Sequence, residues 1–225
     1  MIDGKPNSYI RNSVLNKLQS IVTQTDEGVV PITTRVFHQY SRVRLPTCKY
    51  ALINNGAVLL INGVIDADWF NESIKLSKQY IEHLTYLYTL LDESEFVFSS
   101  LSVCDDMFLC GKFESPNNVM QFLQDTVDFD TCSVYRQGAK IYIIPKAFEK
   151  GEAIRRFKER FDVDITISAG DNELDLSMLK ESDIFLTSNQ SCKEKEAIVV
   201  SPFVFTECLL DYYCKISKEE MSNGE

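Results

Sequence analysis

The stretch Ile165-Thr166-Ile167-Ser168-Ala169-Gly170-Asp171-Asn172-Glu173-Leu174-Asp175 passes from an apolar run, through a glycine, into a cluster of acids that opens a helical pattern. The spacing predicts a strand over 165–168 and a helix over 173–180. A strand end of this kind places Asp171 in the crevice outside the carboxyl edge of a parallel sheet, where such folds bind ligands, and Asp175 follows one helical turn later on the same side. Two hard carboxylate oxygens converging there suit magnesium, with water and a substrate phosphate completing its octahedron. Gly170 permits a tight approach, and Asn172 is placed to hydrogen-bond an anion or orient a metal-bound water. The same residues also read as an Asp/Asn helix cap with Asp175 as a first-turn partner of the helix dipole.

Working outward, strand-helix alternation predicts a helix over 151–161 and strands at Ile184-Phe185-Leu186 and Ala197-Ile198-Val199-Val200, followed by a C-terminal helix. On the N-terminal side, a helix from Tyr9, capped by Asn7 or Ser8, precedes two apolar runs read as buried parallel strands. These are Val29-Val30-Pro31-Ile32, ending in Thr33-Thr34-Arg35, and Tyr50-Ala51-Leu52-Ile53, ending in Asn54-Asn55-Gly56. Asn62-Gly63 between apolar runs predicts a hairpin. From Asp66 to Phe148 the pattern changes to α-β-β-α-β-β, with one long helix over 69–91, extended stretches over 96–103 and 107–113, a helix opening at Ser115-Pro116 and a hairpin at Gln137-Gly138. The alternation over 135–144 suits an antiparallel sheet with one wet face, so this segment reads as an inserted cap. The expected division is core over 1–65, cap over 66–148 and core over 149–225.

Composition sets the outer limits. The chain has 225 residues, 44% hydrophobic and 25% charged, which is an ordinary globular mix. Thirty-three Asp and Glu against 23 Lys and Arg give a net charge of −10, which repels nucleic-acid backbones and anionic membranes. No run approaches the length of a membrane span, and the N-terminus lacks a signal pattern, so a soluble cytoplasmic protein is expected. Seven scattered cysteines without a CxxC pair fit reduced thiols, and two histidines without metal-ligand partners argue against zinc or a Ser-His-Asp triad.

Two further pieces reach the same crevice. Lys150 opens the helix that follows the cap, and Thr33-Thr34-Arg35 ends an earlier strand. Each alone reads as a solvated charge or turn chemistry. In this order, however, a hydroxyl, an ammonium and a carboxylate pair supply donors for phosphate oxygens and ligands for a metal.

On these residues the sequence resembles the haloacid dehalogenase-like hydrolases, in the branch with an α/β cap between the second and third motifs, as in sucrose-phosphate and mannosyl-phosphoglycerate phosphatases. The resemblance spans nearly the whole chain. It implies an α/β fold with a Rossmann-like parallel-sheet core and an inserted α+β cap. By resemblance Thr33 is the second-motif hydroxyl and Lys150 the third-motif lysine, both catalytic. Asp171 and Asp175 are the fourth-motif metal carboxylates, with Asp171 catalytic as well. Thr34, Arg35, Asn55 and Asn172 are the substrate-binding candidates, and Asn54-Asn55-Gly56-Ala57 matches the turn leading toward the cap.

In that family the nucleophile is the first Asp of a DxD pair ending the first sheet strand. Here the early carboxylate is Asp3, which puts Met1 in the nucleophile's place with no residues before it to form the strand. Asp66-Ala67-Asp68, Asp128-Phe129-Asp130 and Asp162-Val163-Asp164 do not substitute, because none ends a central strand. The expectation is a core lacking its first strand. Its function is either a magnesium-dependent phosphatase of a small phosphorylated metabolite whose natural chain begins earlier, these 225 residues without the nucleophilic Asp pair being expected to be inactive, or an inactive member that binds a ligand or a partner. The second alternative predicts a homo-oligomer or a marginally stable monomer, because two strand edges are left unpaired.

Overall fold

A computed structural model describes residues 11–24, 28–43, 48–192 and 197–223. The expected caps at Asn7 and Ser8, and Met1 and Asp3 with them, lie outside the described residues. Helix α1 (Asn12–Gln24) packs against the C-terminal helix α7 (Phe205–Asn223) through Val14, Ile21 and Leu210. The pair is also joined by an Arg11–Glu207 bridge of 2.7 Å.

The segment expected as a strand over 29–32 is reduced to one parallel bridge, Ile32 to Leu52, before the short helix α2 (Phe37–Tyr40). Pro31 has no N–H to donate, which limits the ladder at this point. The segment still lies alongside β1 (Tyr50–Ile53): Leu52 N–H donates to Pro31 O at 2.8 Å and Thr33 N–H to Leu52 O at 2.9 Å. β1 then pairs antiparallel with β2 (Val58–Ile61), and β2 with β3 (Val64–Ile65) across the expected Asn62-Gly63 turn. Both turn residues have positive φ, as a two-residue hairpin of this type requires.

The single helix expected over 69–91 is two, α3 (Ala67–Ser77) and α4 (Ile81–Asp92), because its halves serve different cores. Trp69 packs with Leu52, Leu59 and Ala153, whereas Leu84, Leu87 and Leu91 pack under a separate four-stranded sheet. That sheet comprises β4 (Phe98–Cys104), β5 (Phe108–Phe113), β6 (Cys132–Gln137) and β7 (Lys140–Pro145), in the order β4-β5-β7-β6, all antiparallel. α5 (Pro116–Gln124) closes the same core with Val119 and Leu123. The split helix aside, the element order matches the one read from the sequence. A second cluster, Met107, Phe108, Tyr142, Ile144 and Phe148 with Ala57 and Leu174, seats this sheet on the elements around it.

After α6 (Lys150–Phe161), a parallel group follows in the order β10-β9-β8: β8 (Ile167–Gly170), β9 (Ile184–Thr187) and β10 (Ile198–Val199). β8 starts two residues later than expected, because Thr166 is held outside the strand by Asp183: its N–H donates to Asp183 Oδ2 at 2.8 Å. Residues 173–180 wind as a 3-10 helix instead of an α-helix, with Asp175 and Met178, three apart, both buried. Among the described residues, β8 pairs only with β9, and the Ile32 segment only with β1. The fold is α/β, with parallel pairing in its core and an antiparallel sheet seated beside it.

Candidate active site

β8 ends at Gly170, and the chain turns sharply there. A Cβ at Gly170 would stand 2.1 Å from Asp175 Cβ, so only glycine lets the Asp175 carboxylate fold back over the strand end. Asp175 Oδ2 then accepts the backbone N–H groups of Asp171 (3.0 Å) and Asn172 (3.2 Å), while Asn172 Oδ1 accepts from Leu174 N–H at 2.9 Å. This is a capping box, so the capping role that the sequence left open is realised at Asn172 and Asp175. Asp175 Oδ1 meets Lys150 Nζ, and both side chains are buried. Burial makes the pair interdependent, since either charge left alone would be uncompensated in a dry setting.

Lys150 comes from the first turn of α6, and two contacts fix that turn. Gly151 lies so close to the 3-10 helix that a Cβ there would be 2.2 Å from Ser177 O, and its N–H donates to Ser177 Oγ at 3.1 Å. On the opposite side a Cβ at Gly56 would be 2.2 Å from Ala153 Cβ. Asn54, Asn55 and Gly56 all have positive φ, and this tight turn carries Asn55 Nδ2 to Phe148 O, two residues before Lys150. Asn55 N–H donates to Thr33 O (2.8 Å) and Asn54 N–H to Arg35 O (2.8 Å). Hydrogen bonds thus tie Thr33 through Asn55 to Phe148, two residues before Lys150, and Lys150 in turn to Asp175 and the Asp171 turn.

The candidates differ in what they leave free. Thr33 Oγ1 accepts from Arg35 N–H at 3.2 Å and keeps its own proton to donate. Thr34 lies within hydrogen-bonding reach of the Tyr142 hydroxyl. Arg35 is exposed, and so is Asp171, whose Oδ1 accepts from Asn172 Nδ2 at 3.2 Å. Asp175 spends both oxygens on Lys150 and the two backbone donors, so Asp171 is the carboxylate with an oxygen to spare. No group of three or more His, Cys, Asp or Glu that could hold a metal converges among the described residues. The donor set thus offers a hard cation such as magnesium one exposed carboxylate, that of Asp171.

The antiparallel sheet reaches this site in three places; the sequence left Tyr135 open as a ligand contact or an ordinary strand position, and assigned no role to Tyr142 or Asp105. Tyr135 Oη donates to Glu149 Oε1 at 2.7 Å, Tyr142 faces Thr34, and Asn54 Nδ2 donates to Asp105 Oδ2 at 3.0 Å. Burial, with the neighbouring Glu149 carboxylate, pushes the Tyr135 phenol up. Burial and nearby Cys110 push Tyr142 up to about 12. The sequence did carry a signal for the third contact: Asp105-Asp106 between two apolar alternating runs reads as a two-residue turn.

A family model for haloacid dehalogenase-like hydrolases matches residues 34–189, and the chain belongs to that family. Solved structures that share the fold include the following three. The sucrose-phosphatase of Synechocystis sp. PCC6803, in complex with sucrose and phosphate, is 16% identical with a TM-score of 0.60, covering 80% of this chain and 77% of its own. SMU.1108c of Streptococcus mutans UA159 is 13% identical with a TM-score of 0.63, covering 91% and 92%. The haloalkanoate-superfamily phosphatase BT1666 of Bacteroides thetaiotaomicron is 15% identical with a TM-score of 0.57, covering 95% and 91%. No curated protein sequence matches the chain.

Proposed function

We propose that the chain is a phosphatase of a small phosphorylated metabolite of the sugar-phosphate type, with residues 66–148 as an inserted cap between core parts 1–65 and 149–225. The observation that carries this reading is the buried Lys150–Asp175 pair, tied to the Asp171–Asn172 turn at the carboxyl end of a parallel strand and linked through Asn55 to Thr33. Thr33 and Lys150 hold phosphoryl oxygens, Asn172 orients the group, and Thr34, Arg35 and Asn55 border it. Asp171 anchors magnesium with Asp175 positioned behind it, and the ion, when bound, neutralises phosphoryl charge. The free cysteines fit a cytoplasmic setting, and no helix among the described residues is long and apolar enough to cross a membrane.

One observation favours a second reading. A covalent phosphatase needs a nucleophilic carboxylate at the end of a central strand, and no described strand lies between the Ile32 segment and β8. On that reading the crevice binds a phosphorylated ligand without turning it over, as a monomer or a homo-oligomer.

The test combines calorimetric titration of inorganic phosphate, with and without magnesium, and an assay for phosphate release from sugar phosphates, on the wild type and Asp171→Asn. Magnesium-dependent phosphate binding that Asp171→Asn abolishes at unchanged melting temperature is expected. Phosphate release then selects the phosphatase, and binding without release selects the module. Absence of binding, or identical binding by the variant, overturns both.

A further inference from the structure

We propose that Asp105 is the specificity-determining residue of this crevice, reading hydroxyl groups on the organic part of a phosphorylated polyol; the assignment rests on the phosphoryl site proposed above. Asp105 and Asp106 form the two-residue turn between β4 and β5, closed by Met107 N–H donating to Cys104 O at 2.9 Å, and both have positive φ. A turn of this kind is relaxed with Asn-Gly, and an aspartate in the left-handed region is held there by its surroundings. What it meets is Asn54, fully buried and itself left-handed, whose Nδ2 donates to Asp105 Oδ2 at 3.0 Å. Left-handed turns from two separate elements therefore converge on one contact.

That contact adjoins the phosphoryl site, since Asn54 N–H donates to Arg35 O and the next residue, Asn55, binds Thr33 O. Two acceptors there are uncommitted. Asp105 is exposed, with one neutral donor on its carboxylate and no ion pair among the described residues. The Asn54 Oδ1 atom is buried without a hydrogen-bond partner, an unmet demand of the kind that a ligand donor satisfies. A carboxylate beside the site repels ester and inorganic phosphate alike, and it accepts from neighbouring hydroxyls, so the hydroxyl contact is what favours a phosphate carrying a polyol over phosphate alone.

The experiment is titration of the full chain and Asp105→Asn with glucose 6-phosphate, fructose 6-phosphate and inorganic phosphate, with melting temperatures alongside. Asparagine tolerates the left-handed turn and keeps the shape, so the variant folds. Losing a charged acceptor weakens both hexose phosphates on the order of tenfold, while inorganic phosphate, which has no polyol hydroxyl to lose, is not weakened. Equal weakening of all three, or no change in any, overturns the role of Asp105 and leaves the phosphoryl site standing. Failure of the wild type to bind any of them overturns the phosphoryl site and the Asp105 assignment together.

Discussion

In the antiparallel sheet each strand has six or seven residues, and β5 and β7 are paired on both sides; no strand of the two parallel-containing groups exceeds four. The antiparallel sheet rests on a core of fully buried leucines and valines with α4 and α5. The parallel groups are joined largely by α6 and its neighbours, and these elements hold most of the buried polar residues, namely Asn54, Asn55, Lys150, Ser168, Asp175 and Thr187. One region spends its sequence on apolar closure, while the other trades strand length and dryness for aimed polar groups. Stability and site geometry should accordingly separate in the first region and travel together in the second.

The sharpest break in that contrast is Asp175→Asn. It leaves Lys150 buried without a counter-charge and should cost about 3 kcal/mol or more, seen in denaturant melts, with phosphate binding lost as well. Leu87→Ala in the other core should cost a similar about 3 kcal/mol in the same melts, yet leave phosphate affinity unchanged in the folded fraction. Gly170→Ala forces Asp175 off the strand end, at about 2 kcal/mol, and should lower affinity by more than its stability loss alone implies. Tyr135→Phe removes the bond to Glu149, at about 1 kcal/mol, and tests whether the antiparallel sheet steadies the turn that carries Lys150. The smallest effect is in alkaline melts. The folded state holds the Tyr142 proton more tightly than the unfolded chain does. Its contribution is complete below pH 10 and is lost as pH rises toward about 12, so Tyr142→Phe should flatten that decline and change little at neutral pH.

The same contrast explains what was legible beforehand. The hairpins at Asn62-Gly63 and Gln137-Gly138 and the alternating strands of the antiparallel sheet are local patterns, and they stand close to where the sequence puts them. The turn through Gly170, Asp171 and Asp175 was legible because a strand end followed by glycine and acids is itself local, whereas Lys150, 25 residues from Asp175, was singled out only by motif order and family resemblance. The misreadings arose where distant partners decide. The 69–91 run is helical throughout by pattern, but Trp69 and Leu84 answer to different cores. Residues 29–32 are apolar enough for a strand, but Pro31 and the single neighbour β1 leave one bridge. The meeting of Asp105 with Asn54 joins residues 51 apart in sequence, and periodicity carries no information at that range.

Helix α6 touches both parallel-containing groups at points where a hydrogen atom is all that fits, Gly56 against Ala153 on one side and Gly151 against Ser177 on the other. It works as a keystone: the two groups cannot spread without first lifting its opening turn. Amide exchange at Ala153 and Ile154 would then time the rarest, widest breathing of the molecule, and a ligand that bridges the two sides would be felt there as slowed exchange.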